Sequence, residues 1–138
     1  MLTGKCHCGA ICYELNGAPM HHALCHCSDC RRHAGAPMVG WMMFKSEQVS
    51  VKSGAAKVYQ SSTHGRRHFC NACGTGLFYT NDQMLPGITD VQSGTLDDPD
   101  AVPAQLHIQT AERISWMKDA HALPEFERFP SLETPITQ

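Results

Sequence analysis

The sequence has little charge and no strongly basic region. Charged residues make up 17% of its 138 residues, and the formal net charge is −2. We therefore expect neither nucleic acid nor a membrane among its partners, because both attract proteins largely through a basic field. No apolar run is long enough to span a bilayer, and the opening M-L-T-G-K-C-H-C has no apolar signal core, which predicts a cytoplasmic protein. The sequence lacks the motif G-x-G-x-x-G, so it does not indicate a nicotinamide or flavin cofactor.

Helical patterns are also scarce, and the chain consists mainly of short apolar runs separated by glycine turns. Its length predicts one domain over residues 1–138. Many short strands are typical of an all-β domain, with at most one short C-terminal helix, expected from Thr110 to Lys118. Trp116 is expected in the core, and residues 81–87 are expected to form a loop. Strands are predicted in an N-terminal hairpin that turns at Gly9, and at Met38–Phe44, Val49–Lys52, Lys57–Gln60, Leu77–Thr80, Ile88–Ser93 and Leu106–Gln109.

The chain is rich in one residue type, with eight cysteines. In a protein without an export signal, cysteines are more often metal ligands or reactive thiols than parts of disulfides. Three of them, Cys25, Cys27 and Cys30, fall within A-L-C-H-C-S-D-C-R-R-H-A-G. In an extended segment the first two share a face, and a helical bend after them would bring Cys30 beneath Cys27. This predicts a soft-metal site, with zinc as the expected ion, although no fourth cysteine lies nearby.

A second group of cysteines has the spacing of a zinc knuckle. Cys70 and Cys73 form C-N-A-C-G, and Cys6 and Cys8 are expected on one face of the first strand, also before a glycine. Together these four would make a closed structural site, although spacing alone leaves their pairing open. Cys12 is then left over, and we expect it to be a small buried apolar residue.

The three-thiol group of Cys25, Cys27 and Cys30 leaves two interpretations open. One is a second structural zinc, completed by Cys12 or by a histidine, of which His22, His26 and His33 are candidates. The other is an open site whose fourth position takes water or an external thiol.

Several of these segments together resemble the glutathione-dependent formaldehyde-activating enzyme family, whose domain also occurs in centromere protein V. The segments are C-H-C-G, C-H-C-S-D-C-R-R-H-A-G, F-C-N-A-C-G-T-G, S-G-T-L-D-D-P and P-A-Q-L-H-I. The resemblance implies a zinc-containing β-tent of short antiparallel strands, with up to two zinc ions per chain. It implies a structural zinc on Cys6, Cys8, Cys70 and Cys73, and a catalytic zinc on Cys25, Cys27 and Cys30.

The resemblance also implies a carbon–sulfur lyase reaction, in which glutathione or another small thiol joins formaldehyde or a related aldehyde. A metal-bound thiol is deprotonated and can attack the carbonyl carbon. His26 and His33 are candidates to supply the proton, and Arg31 and Arg32 are candidates to hold the carboxylates of glutathione. The alternatives are a zinc-stabilised binding module without catalysis, and a lyase or thiol transferase that acts on a different electrophile.

Overall fold

The computed structural model describes residues 1–133, which form ten β-strands, one α-helix and several 3₁₀ turns. The strands are β1 (Leu2–Lys5), β2 (Cys12–Leu15), β3 (His21–Cys25), β4 (Val39–Lys45), β5 (Val49–Ser53), β6 (Lys57–Gln60), β7 (Gly65–Phe69), β8 (Gly76–Asn81), β9 (Leu85–Gln92) and β10 (Leu106–Ile108). The α-helix is α1 (Ser28–Ala34), and the 3₁₀ turns are Ser46–Gln48, Ser93–Thr95, Pro99–Ala101, Thr110–Glu112 and Ser115–Ala122. The predicted all-β fold class is confirmed.

The strands form two sheets. The small sheet has the order β1-β2-β5, and the large one has the order β10-β3-β4-β9-β8-β7-β6. All neighbouring strands are antiparallel except β10, which lies parallel to β3. The predicted antiparallel arrangement holds for the other strand pairs and differs at this edge, because the chain returns to β3 through a long connection after β9. A hairpin would have forced the antiparallel direction, whereas a crossover allows either one.

Strand alternation in the large sheet builds two separate apolar clusters. Successive side chains point to opposite faces, so Met42 and Phe44 of β4 face the small sheet, where Tyr13 and Leu15 meet them in the main core. Trp41 of β4 points the other way, into a second cluster that α1 covers. One face of the large sheet therefore packs into the main core, and the other packs against α1.

The α-helix lies in the middle of the chain, although at most one helix was expected and that at the C-terminus. The Cys27 side chain caps the start of α1 by accepting a hydrogen bond from the backbone N–H of Cys30. Gly35 ends α1 in a left-handed conformation at φ 64° and donates its N–H to Arg31. An isolated helix of this length is unstable in water, so the burial of Cys30 against the sheet must hold it.

The predicted helix from Thr110 to Lys118 is wrong. This segment forms two 3₁₀ turns, and neither contains a buried residue. Apolar residues repeated every three positions fit the three-residue period of a 3₁₀ turn as well as an α-helix, and no apolar face packs into the core to favour the longer helix. Trp116 is 57% exposed, so its expected place in the core is also wrong.

The segment 81–87, expected as a loop, is shorter than predicted. β8 extends to Asn81 and β9 begins at Leu85, so a tight turn joins them. The Asn81 side-chain oxygen accepts hydrogen bonds from the backbone N–H groups of Gln83 and Met84, which have no partner in the strands, and these bonds stabilise the turn. Within residues 1–133, no helix has the length and apolar character needed to cross a membrane.

Candidate metal centres and active site

The structure brings the sulfurs of Cys6, Cys8, Cys70 and Cys73 to within 4.8 Å of one another, and we call this group the four-thiol cluster. The Sγ atoms of Cys6 and Cys8 are 3.6 Å apart, and those of Cys8 and Cys70 are 3.8 Å apart. Sulfurs about 2.3 Å from a tetrahedral zinc ion are separated by about 3.8 Å. The donor set and its spacing therefore fit a metal ion with four thiolate ligands.

Two turns hold the four-thiol cluster together. β1 ends at Lys5, so Cys6 and Cys8 lie in the turn after it, and the expectation that they share a strand face is wrong. Both sulfurs still converge, with their Sγ atoms 3.6 Å apart, and the backbone N–H of Ile11 donates to the Cys6 sulfur at 3.3 Å. In the second turn the N–H of Gly74 donates to the Cys70 carbonyl at 2.7 Å, with Gly74 at φ +82°. A glycine suits this position because it adopts positive φ without strain.

The three other predicted ligands also converge, and we call Cys25, Cys27 and Cys30 the three-thiol cluster. Their sulfurs lie within 4.8 Å of one another. Cys25 is the last residue of β3, Cys27 caps α1 and Cys30 lies in its first turn. Cys25 and Cys30 are buried, whereas Cys27 is half-buried. Three soft donors that meet at one point fit a zinc ion with a vacant fourth position.

Within residues 1–133, no histidine or carboxylate places a ligand atom in the three-thiol cluster. The ring of His22 already contacts the Val102 carbonyl and the Ser93 hydroxyl, each at 2.8 Å. The Cys12 thiol donates a hydrogen bond to the Gly9 carbonyl at 3.4 Å, and its sulfur belongs to neither cysteine cluster. The candidates for a fourth protein ligand are therefore placed elsewhere.

The two candidate proton donors lie in different surroundings. His26 is 1% exposed, and its Nε2 lies 2.9 Å from Nδ1 of His107 on β10. His33, on α1, stacks on Tyr59 with ring centroids 6.0 Å apart and the rings nearly parallel. Burial, aided by nearby positive charge, lowers the pKa of both histidines, so neutral imidazole is the favoured form.

The cleft beside the three-thiol cluster is cationic. It encloses about 420 Å³, and its lining comprises Asp29, Arg32, His33, Tyr59, Ser61 and Arg67. Arg32 is exposed there and also lines a second, more apolar groove with Trp116. Arg31 is placed differently, because its side chain donates to the backbone carbonyls of His26 and Glu112. Of the two arginines proposed for carboxylate binding, the structure therefore places only Arg32 in the cleft.

Two residues near Cys30 were missed by the sequence analysis. Arg67 of β7 is buried, and both of its terminal nitrogens lie within 3.8 Å of the Cys30 sulfur. Asp90 of β9 is also buried, and desolvation, with the charge of Cys30 as a second cause, raises its pKa to about 7. The run G-R-R-H-F held a weak signal, because alternation in a strand must turn one of two adjacent arginines inward.

The three thiols share their protons unequally. Hydrogen bonding from Cys25 lowers the pKa of Cys30 to about 5, and the thiol of Cys27 and the charge of Arg67 act in the same direction against burial. The same bond raises the pKa of Cys25. These opposite shifts describe one cluster that holds a thiolate centred on Cys30. Metal binding therefore begins from a partly deprotonated site.

Fold and sites together define a β-sheet protein with two cysteine clusters that could hold metal ions. The sequence matches the family "Glutathione-dependent formaldehyde-activating enzyme" over residues 1–112. This match covers most of the chain, and the chain belongs to that family. The family name describes an enzyme that activates formaldehyde, and the resemblance seen in the cysteine motifs is confirmed.

Curated relatives agree with this membership. A Halomonas elongata protein, named provisionally as a glutathione-dependent formaldehyde-activating enzyme, is 27% identical over 127 residues, which are 86% of this chain and 80% of the relative. An uncharacterized lyase of Schizosaccharomyces pombe is 34% identical over 56% of this chain and 58% of its own length. A Fusarium vanettenii protein with the same provisional name as the first is 34% identical over 56% of this chain and 42% of its own length. The matches to the two fungal proteins thus cover only about half of each of those proteins.

A solved structure supports the fold. The crystal structure of a Rhodobacter sphaeroides protein superposes with a TM-score of 0.61 at 24% identity, and it covers 76% of this chain and 98% of its own. At this identity the likeness speaks for the architecture alone.

Proposed function

We propose that this chain is a zinc-dependent carbon–sulfur lyase that joins a small thiol, glutathione first among them, to formaldehyde or a related aldehyde. The observation that carries the proposal is the three-thiol cluster, which has no fourth ligand among residues 1–133 and lies beside a cationic cleft. The family name and the lyase among the relatives favour the same chemistry. The four-thiol cluster would hold a structural zinc, with all four positions taken by protein sulfur.

A zinc ion held by Cys25, Cys27 and Cys30 would supply one thing when bound, a thiol kept as thiolate at neutral pH. Three protein thiolates already exceed the charge of the ion, so strong activation of the aldehyde is not expected from it. The contribution of the protein is chiefly to hold the thiol and the aldehyde close together in the right orientation.

The protein's own residues would orient the thiol and move the proton. Arg32 lines the cleft and would bind a carboxylate of glutathione. In the reaction, a carbon–sulfur bond forms and the carbonyl π bond breaks, with its electron pair moving to oxygen. The proton that leaves the thiol ends on that oxygen, and no oxidant or reductant is needed. His33 faces the same cleft as Arg32, so it is better placed than the buried His26 to relay this proton.

Exchange NMR tests the proposal directly, because formaldehyde hydrate and its glutathione adduct give separate signals whose exchange rate the enzyme should raise. Cys27→Ser should return the rate to that of the uncatalysed reaction. Cys12→Ser is the matched control and should behave as the wild type, because Cys12 lies outside both clusters. Unchanged exchange with the zinc-loaded wild type would contradict catalysis of this reaction and favour the zinc-stabilised binding module.

A further inference from the structure

Arg67 is a buried cation whose side chain points at a sulfur. It is 6% exposed, and its Nη1 and Nη2 atoms lie 3.7 and 3.8 Å from Sγ of Cys30. Its guanidinium carbon stands 4.9 Å from the centroid of the Tyr79 ring, within the range of a cation–π contact. The contact joins β7 to α1, two elements that are far apart along the chain.

The Cys30 sulfur is the one side-chain acceptor to which the guanidinium donates among the described residues. The ion pairs found in residues 1–133 are Lys52 with Glu14 and Arg66 with Asp82, and neither involves Arg67. A buried charge without a counter-ion is strongly destabilising. Arginine also keeps its positive charge at every physiological pH. The fold therefore places a permanent positive charge against one edge of the three-thiol cluster.

We infer that Arg67 is a positioning residue of the three-thiol site, which makes that site prefer an anionic fourth ligand, a thiolate, over a neutral one. The argument is one of charge balance. Three thiolates and a divalent zinc ion sum to −1, and a thiolate in the fourth position brings the total to −2. The guanidinium offsets one of these charges, whereas a neutral ligand gains nothing from it.

The location of Arg67 supports the same conclusion. It lines the 420 Å³ cleft beside the cluster, so an incoming thiol would approach past its charge. The neighbouring Arg66 has a similar sequence context but pairs with Asp82 at 3.8 Å, and it does not line this cleft. The inference rests on the proposed function only in taking a thiol as the natural fourth ligand. The action of Arg67 on Cys30 can be measured without any added ligand.

Cobalt-substituted protein provides the test, because Co²⁺ reports its sulfur ligands through charge-transfer absorption. We compare the wild type with Arg67→Met, Arg67→Gln, Arg67→Lys and the control Arg66→Met. Loss of the guanidinium hydrogen bonds should move the sulfur-to-cobalt band to lower energy in Arg67→Met, with no ligand present. Affinity for 2-mercaptoethanol, which carries no carboxylate, should fall at least tenfold in Arg67→Met and Arg67→Gln. Affinity for neutral imidazole should change less than threefold.

The remaining outcomes also decide the question. Arg67→Lys should keep most of the thiol preference because it keeps the charge, and Arg66→Met should match the wild type. If Arg67→Met does not fold, Arg67→Gln, which keeps polar contacts without the charge, carries the comparison. Loss of one cobalt from Arg67→Met and Arg67→Gln but not from Arg67→Lys also supports the inference, whereas loss from all three would make Arg67 a packing residue.

An unmoved band together with an unchanged ratio of thiol to imidazole affinity in Arg67→Met would overturn the inference. Failure of the proposed function looks different. In that case the wild type itself binds neither 2-mercaptoethanol nor imidazole, while the band shift still reports whether Arg67 acts on Cys30.

Discussion

The two cysteine clusters differ in how the chain builds them. The four-thiol cluster joins two turns that are separated by 62 residues between Cys8 and Cys70, and two of its sulfurs belong to the main core. The three-thiol cluster comes from one short segment at the end of β3 and the start of α1, on the opposite face of the large sheet. A crosslink that closes a long loop removes more disorder from the unfolded chain than one that closes a short loop, by about 2 kcal/mol for a tenfold difference in length. Metal at the first cluster should therefore stabilise the fold more than metal at the second, which is the one available for function.

The largest effect is expected from loss of the four-thiol cluster. Cys70→Ser should abolish cooperative unfolding, because the metal that links the N-terminal turn to the centre of the chain would be lost together with a buried sulfur. Thermal unfolding followed by circular dichroism measures this, with zinc content determined in parallel. Cys12→Ser should unfold like the wild type. A Cys70→Ser protein with normal stability would show that this cluster is not the structural one.

Cys27→Ser should have the opposite profile. Cys27 is half-buried and belongs to the local segment, so the fold should survive while zinc content falls from two ions per chain to one. Formaldehyde–glutathione exchange should fall to the uncatalysed rate. Metal analysis and thermal unfolding of the same sample separate the two effects. If Cys27→Ser unfolds as Cys70→Ser should, both clusters are structural and the contrast between them fails.

Asp90 should make the stability of the fold depend on pH. Its pKa is raised to about 7, so its carboxyl is neutral in the folded chain at a pH where the unfolded chain ionises it. The sign follows from this order, since the stability that the neutral carboxyl contributes is full below about pH 4 and is lost as pH rises through 7. Asp90→Asn removes the penalty, so its stability gain over the wild type should grow by about 2 kcal/mol between pH 5.5 and 8.5.

Urea unfolding at several pH values measures the effect at Asp90. Cysteines that do not interact with Asp90 titrate alike in the wild type and in Asp90→Asn, so their contribution cancels in the difference. The interaction of Asp90 with the charge of Cys30 is part of the measured effect. A difference that stays constant with pH would show that Asp90 ionises normally in the folded chain.

The smallest effects are expected from replacing one glycine beside each cluster by alanine. Gly74 follows Cys73 of the four-thiol cluster, and Gly35 ends α1. Both have positive φ, and an added Cβ would meet nothing within 4 Å at either position. Alanine at each site should therefore cost only backbone strain, about 1–2 kcal/mol. Gly74→Ala should lower the free energy of unfolding of the whole fold. Gly35→Ala should mainly weaken cobalt binding at the three-thiol cluster, and equal effects of both variants on both readouts would erase the distinction.

Much of this architecture could be predicted from local sequence patterns. Glycine-punctuated apolar runs predicted the all-β class, and the spacing of Cys25, Cys27 and Cys30 predicted the three-thiol group. The pairing of Cys6 and Cys8 with Cys70 and Cys73 was left open by spacing and was implied by the family resemblance. α1 had recognisable signals as well, with Asp29 in its first turn and Gly35 at its end. They were interpreted only as a bend, because seven residues are too few to show helical periodicity.

The surroundings of the three-thiol cluster could not be predicted in the same way. Arg67 contacts it from β7, and the carboxyl of Asp90 on β9 is affected by the charge of Cys30. Both placements depend on the strand order of the large sheet and on which face each residue occupies. Strand order arises from long-range pairing, which a single sequence does not encode in any local pattern. The parallel pairing of β10 with β3 has the same origin.

The most direct test of the contrast is a thiol titration of the wild-type protein loaded with two cobalt ions per chain. We expect millimolar glutathione to change the absorption of one cobalt site and leave the other unchanged, and we expect the responsive signal to be absent from Cys27→Ser. Two cobalt sites that both ignore glutathione would contradict the assignment of an open three-thiol site beside a closed four-thiol site.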